Sequence, residues 1–97
     1  MSIANIDHFI NGHVATSAAG AAGRSQDVTN PATGAVTGRV ALASAVDVDT
    51  AVAAAQAAFP AWADAPPLKR ARVMFKFLEL LNLHKDDLAR MITTEHG

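Results

Sequence analysis

Pro66-Pro67-Leu68-Lys69-Arg70-Ala71-Arg72-Val73-Met74-Phe75-Lys76-Phe77-Leu78-Glu79-Leu80-Leu81 is the stretch on which the reading of this chain turns. Two prolines open a helix well, because the first helical N–H has no partner to lose. At about 100° per residue, Lys69, Arg72, Lys76 and Glu79 fall in a polar stripe only about 80° wide. Leu68, Ala71, Val73, Met74, Phe75, Phe77, Leu78, Leu80 and Leu81 cover most of the remaining circumference. A surface helix buries one stripe, whereas one that is apolar nearly all round is expected to be buried on several sides. A chain of 97 residues has little material with which to cover it,.

Upstream, Ser44 followed by Asp47 reads as a capping box, with the short acid in place of the usual Glu. Asp47 and Asp49 also set negative charge at the positive end of the helix dipole. Val48, Ala51, Val52, Ala55 and Phe59 form one helical stripe. Pro60 is expected to stop that helix, and Trp62 to pack back over its end. Downstream, a third helix is expected from His84 to Glu95, with Asp86 and Asp87 in its first turn. Leu88, Met91 and Ile92 point inward in this reading, and His96-Gly97 is the cap.

Residues 1–43 read as strands and turns, and 44–97 as helices. Asn11-Gly12, between Phe9-Ile10 and His13-Val14, is a two-residue hairpin signal because both positions tolerate positive φ. Thr16 to Gly23 is small and Gly/Ala/Ser-rich, which suggests a flexible connection. Val28-Thr29 ends a short strand, and Asn30-Pro31-Ala32-Thr33-Gly34 supplies turn chemistry. Ala35 to Leu42 resumes as a strand with Val36, Val40 and Leu42 on one face.

Composition narrows the function classes. The net charge is −1, so nothing electrostatic points to nucleic acid or an anionic membrane,. With zero cysteines, the chain has no disulfide, thiolate metal site or cysteine nucleophile,. Its start lacks the basic stretch and apolar run of a secretory signal, and the arginines of a mitochondrial presequence. No segment reaches the roughly 18 apolar residues of a membrane span. A soluble cytoplasmic protein is the expectation.

Each candidate site meets a plainer explanation. His8, His13, His84 and His96 lack the spacing that sets two ligands on one helix face, and are expected to face solvent or be hydrogen-bonded. Lys69, Arg70 and Arg72 could hold a phosphate, but they suit a solvated face better, with Asp64 a possible pairing partner. Asp47/Asp49 and Asp86/Asp87 lie where helix dipoles account for them. Gly20-Ala21-Ala22-Gly23 and the Gly34/Gly38 pair do not sit at a strand-to-helix turn, so neither is a dinucleotide fingerprint. Met74, Phe75 and Phe77 read as core. No catalytic, cofactor-binding or metal residue is assigned.

The order of the pieces is more specific than any one of them. Phe9-Ile10-Asn11-Gly12 is followed by Asn30-Pro31-Ala32-Thr33-Gly34, by Asp47-Val48-Asp49-x-Ala51-Val52-x-Ala54-Ala55 and by Ala58-Phe59-Pro60-x-Trp62. The segments Arg70 to Phe77 and Leu88 to Gly97 complete the series. From about His8 onward this resembles the opening of the aldehyde dehydrogenase superfamily. Val40-Ala41-Leu42-Ala43-Ser44 and Pro66 to Phe77 most resemble its CoA-acylating methylmalonate-semialdehyde members.

That resemblance implies an α/β fold of the aldehyde dehydrogenase kind, of which residues 1–97 would be the N-terminal part of the NAD-binding domain: β-hairpins, then about three α-helices. The full-length enzyme would be a homo-oligomer of valine catabolism. It would oxidise methylmalonate or malonate semialdehyde with NAD and CoA to propanoyl-CoA or acetyl-CoA. The family's catalytic cysteine and nucleotide-binding glycines fall beyond the matched stretch, so none of its functional residues transfers. These 97 residues alone are expected to be inactive, to bind no cofactor and to be only partly ordered, with a mobile N-terminal hairpin. Two other readings remain open: another NAD(P)-dependent aldehyde dehydrogenase, or a non-catalytic interaction module derived from one.

Overall fold

A computed structural model describes residues 3–16 and 23–97. Among these, strands β1 (Ala4–Ile6), β2 (His8–Ile10), β3 (His13–Ala15), β4 (Ser25–Thr29) and β5 (Val36–Ala41) precede helices α1 (Ala45–Asp64), α2 (Pro67–Leu83) and α3 (Lys85–His96). Strands followed by three helices is the expected order. Most of the Thr16–Gly23 connection, including Gly20-Ala21-Ala22, lies outside the described residues.

The β2–β3 hairpin forms where Asn11-Gly12 predicts it, with Phe9 opposite Val14 and Ile10 opposite His13. Asn11 has φ 55° and Gly12 φ 81°, the two positive values that match a tight turn to the twist of its strands,. The second turn is built from its side chains. Asn30 Oδ1 accepts the Ala32 N–H at 2.9 Å, and the Asn30 carbonyl accepts the Gly34 N–H at 2.7 Å. Gly34 takes φ 76° there, and β5 returns antiparallel to β4.

Strand β1 is the element that residue patterning did not anticipate. It pairs in parallel with β5, giving a three-stranded sheet of order β1-β5-β4, separate from the two-stranded β2–β3 sheet. Three residues carry no readable periodicity, and a parallel partner more than thirty residues away leaves no local signal. Gly38 permits the approach: a Cβ there would stand 3.2 Å from the Ala4 carbonyl oxygen and 3.4 Å from Ile6 Cδ1. A register shift at Val28/Thr29 separates the Val28–Gly38 and Thr29–Val36 pairs,.

Helix α1 begins at the predicted capping box. The Ser44 hydroxyl accepts the Asp47 N–H at 3.2 Å, and Asp47 Oδ2 accepts the Ser44 N–H at 2.8 Å. The expectation that Pro60 stops the helix is corrected, since α1 continues through it to Asp64. Proline removes one hydrogen bond and crowds the preceding turn, at a cost of about 3 kcal/mol. That cost falls once in a helix with nine alanines, seven before Pro60 and two after it. Trp62 is accordingly a helical residue, 45% exposed, and not a lid folded back from a loop.

Pro67 opens α2 as expected, and the helix ends at His84, which also stands at the N-cap of α3. The third helix is displaced by one residue from the predicted span, with Asp86 and Asp87 in its first turn and Gly97 as its C-cap. A second correction concerns its inner face. Leu88, Met91 and Ile92 are 40%, 57% and 63% exposed. Their spacing is that of a core stripe, but the described residues place nothing over them.

The same holds throughout the helices. Among the described residues no hydrophobic side chain is buried. The Val48, Val52 and Phe59 stripe of α1 is exposed, and α2, expected to be buried on several sides, has no buried residue. The radius of gyration is 17.1 Å, against about 13 Å for a compact domain of this length,.

Candidate functional site

Two features stand apart: an apolar helical face, and a small polar junction beneath the hairpin. The face runs along α2 and into α3. Leu68, Met74, Phe75, Leu78 and Leu83 are each more than half exposed, and Phe77, Leu81, Leu88 and Met91 line a groove between the two helices. Its margin is polar. Asp87 Oδ1 accepts from Arg90 at 3.3 Å, and the other Asp87 oxygen lies 3.5 Å from His84 Nδ1. The accessible surface of the chain is 7773 Å², where a compact protein of its mass exposes roughly 5,300 Å²,. The excess belongs to the chain as a whole, and the exposed α2–α3 face is one part of it.

The junction joins β2 to the start of α1. Asp47, 5% exposed, is the buried charged residue among those described. Its Oδ2 accepts from the Ser44 N–H and from the Ser44 hydroxyl at 2.9 Å, and lies 3.6 Å from His8 Nε2. That separation is beyond hydrogen-bond reach, and His8 Nε2 is buried without another partner,. His8 is therefore neither the solvent-facing nor the hydrogen-bonded histidine that was expected. Asp47 was legible as a cap, but its approach to His8 was not, because a strand and a helix 39 positions apart have no sequence spacing to read.

The other sequence candidates are scattered. His13 sits on β3, His84 at the α2–α3 junction and His96 at the end of α3. Among the described residues no three His, Cys, Asp or Glu side chains converge on a metal-sized point. Lys69, Arg70 and Arg72 share the first turns of α2, and among the described residues Asp64 forms no ion pair with them. Arg70 Nε is buried without a hydrogen bond.

The strand-to-helix turn, where a dinucleotide would sit, runs from β5 through Leu42-Ala43-Ser44 into α1. It contains no glycine to admit a pyrophosphate, and the Asp47 carboxylate already occupies the helix N-terminus,. A phosphate brought there would meet a negative charge. The residues of this turn do not fit a dinucleotide phosphate, and the sequence holds no cysteine.

Among the described residues the chain thus comprises the β1-β5-β4 sheet, the β2–β3 hairpin and three helices with an open apolar flank. The aldehyde dehydrogenase family matches residues 18–97, and the chain belongs to that family. It is 41% identical over 92 residues to malonate-semialdehyde dehydrogenase of Pseudomonas aeruginosa, covering 95% of this chain and 18% of that protein. It is 51% identical over 71 residues to malonate-semialdehyde dehydrogenase 1 of Geobacillus kaustophilus, covering 73% of this chain and 14% of that one. A crystal structure described as methylmalonate-semialdehyde dehydrogenase of Sinorhizobium meliloti 1021, complexed with NAD, superposes with a TM-score of 0.92 at 45% identity. It is matched over 99% of this chain and 19% of its own. The chain thus spans about a fifth of the length of these relatives, and the aldehyde-dehydrogenase-like fold expected of it is the one observed.

Proposed function

We propose that this chain is the N-terminal scaffold of an NAD-dependent, CoA-acylating methylmalonate- or malonate-semialdehyde dehydrogenase. In this reading residues 1–97 form the N-terminal part of the NAD-binding domain and contribute none of its catalytic groups. The observation that carries it is the open apolar flank of α2 and α3, which has core composition and, among the described residues, no core over it. The relatives' names support the semialdehyde substrate. Oxidation to propanoyl-CoA or acetyl-CoA, a place in valine catabolism, a cytoplasmic setting and a homo-oligomeric whole enzyme belong to the same proposal.

The test supplies methylmalonate semialdehyde, NAD and CoA to the chain alone, and then to the chain mixed with a relative whose matching stretch has been deleted. The chain alone is expected to form no NADH, and the mixture to recover CoA-dependent NADH formation. NADH from the chain alone overturns the scaffold reading. A mixture that recovers no NADH formation argues against these residues supporting such an enzyme. A second reading, a non-catalytic module that uses the face to bind itself or a longer homologue, is favoured by the same exposed surface. Sedimentation decides it, since a well-dispersed monomer at high concentration argues against self-association.

A further inference from the structure

We propose that His8 and Asp47 form a polar latch that ties the β2–β3 hairpin to the first turn of α1, so that helix capping and hairpin position behave as one unit. Among the described residues the hairpin shares no ladder with the β1-β5-β4 sheet, so strand pairing there does not fix its position. Its neighbour is α1, against which β2 lies. Apolar packing is partial: half-buried Ile10 lies beside Ala51 of α1, while the cross-strand pair Phe9 and Val14 is 73% and 69% exposed. The polar contact is better shielded. The His8 side chain is 17% exposed and the Asp47 side chain 6%, with Nε2 and Oδ2 3.6 Å apart.

A buried ring nitrogen without a hydrogen bond is costly unless a nearby opposite dipole or charge offsets its lost hydration. Here that offset comes from the oxygen that also accepts both Ser44 donors. Moving the hairpin away would strand the imidazole and leave the Asp47 carboxylate one fewer neighbour. Opening the α1 cap would free the carboxylate to turn from His8. Each end of the contact thus stabilises the other, and the hairpin presents Phe9 and Val14 at one angle to α1. The latch does not rest on the scaffold reading, and its test is made on the chain alone, so either can fail without the other.

Backbone hydrogen exchange of the full chain tests it, with His8→Leu, His8→Gln, Asp47→Asn and the double variant His8→Leu/Asp47→Asn. His8→Leu is expected to speed exchange of the amides from His8 to Ala15 about fivefold, leaving β4–β5 unchanged. Asp47→Asn is expected to do the same and also to speed the first turn of α1. The double variant should exchange no faster than Asp47→Asn, while His8→Gln, which keeps a polar group beside Asp47, should recover most of the protection. Unchanged hairpin exchange in His8→Leu would overturn the latch. So would fully multiplicative effects in the double variant, or an equal rise across β4–β5, which would make the contact a general prop of the fold.

Discussion

At Ser44 the backbone is extended, with φ −86° and ψ 170°, and its hydroxyl and N–H both engage Asp47. Two otherwise orphaned donors at the mouth of α1 are satisfied by these two residues. Replacing Ser44 with Ala removes one cap bond and is expected to cost about 1 kcal/mol. A fall in the melting temperature followed by circular dichroism would register it, with the loss concentrated in helical signal. Gly38 makes a different demand, for space. Gly38→Val would set a branched side chain against the Ala4 carbonyl and is expected to detach β1. Faster exchange of the β1 and β5 amides, with β4–β5 pairing retained, is the outcome to look for. Ser44 and Asp47 were legible because a capping box is local. The need for glycine at position 38 was not, since the atoms that crowd it belong to a strand more than thirty residues away.

Helix α1 shows how a strong single-residue rule yields to its neighbours. Proline at position 60 forgoes a bond to the Gln56 carbonyl, yet the alanine-rich sequence on both sides keeps the helix intact to Asp64,. Pro60→Ala is therefore expected to restore that bond and stabilise α1 by up to about 3 kcal/mol. A higher melting temperature and a slightly larger helical ellipticity would show it; a lower melting temperature would mean that proline's rigid φ matters more than its missing donor. The start of α2 was legible in Pro66-Pro67, and the hairpin turn in Asn11-Gly12, because those residues act on their own dihedral angles. Which face of α2 or α3 is covered was not legible in the same way. Spacing states which residues share a face, and only a neighbouring element turns a face into an interior.

The whole molecule is a thin, extended body of 49 × 34 × 17 Å with helical apolar surface open along one flank. That geometry reverses the usual cost of a core substitution. Phe75 is 66% exposed, so Phe75→Gln is expected to change the stability of this chain by no more than about 0.5 kcal/mol,. In an assembly that covers α2, truncating a phenylalanine would cost about 3–5 kcal/mol. Thermal melts of the variant, made on the chain alone and on the reconstituted mixture, would separate the two cases; a large loss in the chain alone would mean that α2 is already covered. The open flank is also expected to bind an apolar-surface dye, and Phe75→Gln to weaken that binding, as fluorescence titration would show.

The sequence by itself determined the local features: where the hairpin turns, where α1 and α2 begin, and that α2 carries more apolar surface than this chain can hide. It also determined the family, through the order of short segments over nearly the whole length, and the lack of a thiol nucleophile. Only the tertiary structure decided that β1 joins β5 in parallel, that α1 passes through Pro60, that Leu88, Met91 and Ile92 stay exposed, and that His8 meets Asp47. Those outcomes depend on contacts between residues far apart in the chain, and such contacts are set by packing rather than by periodicity.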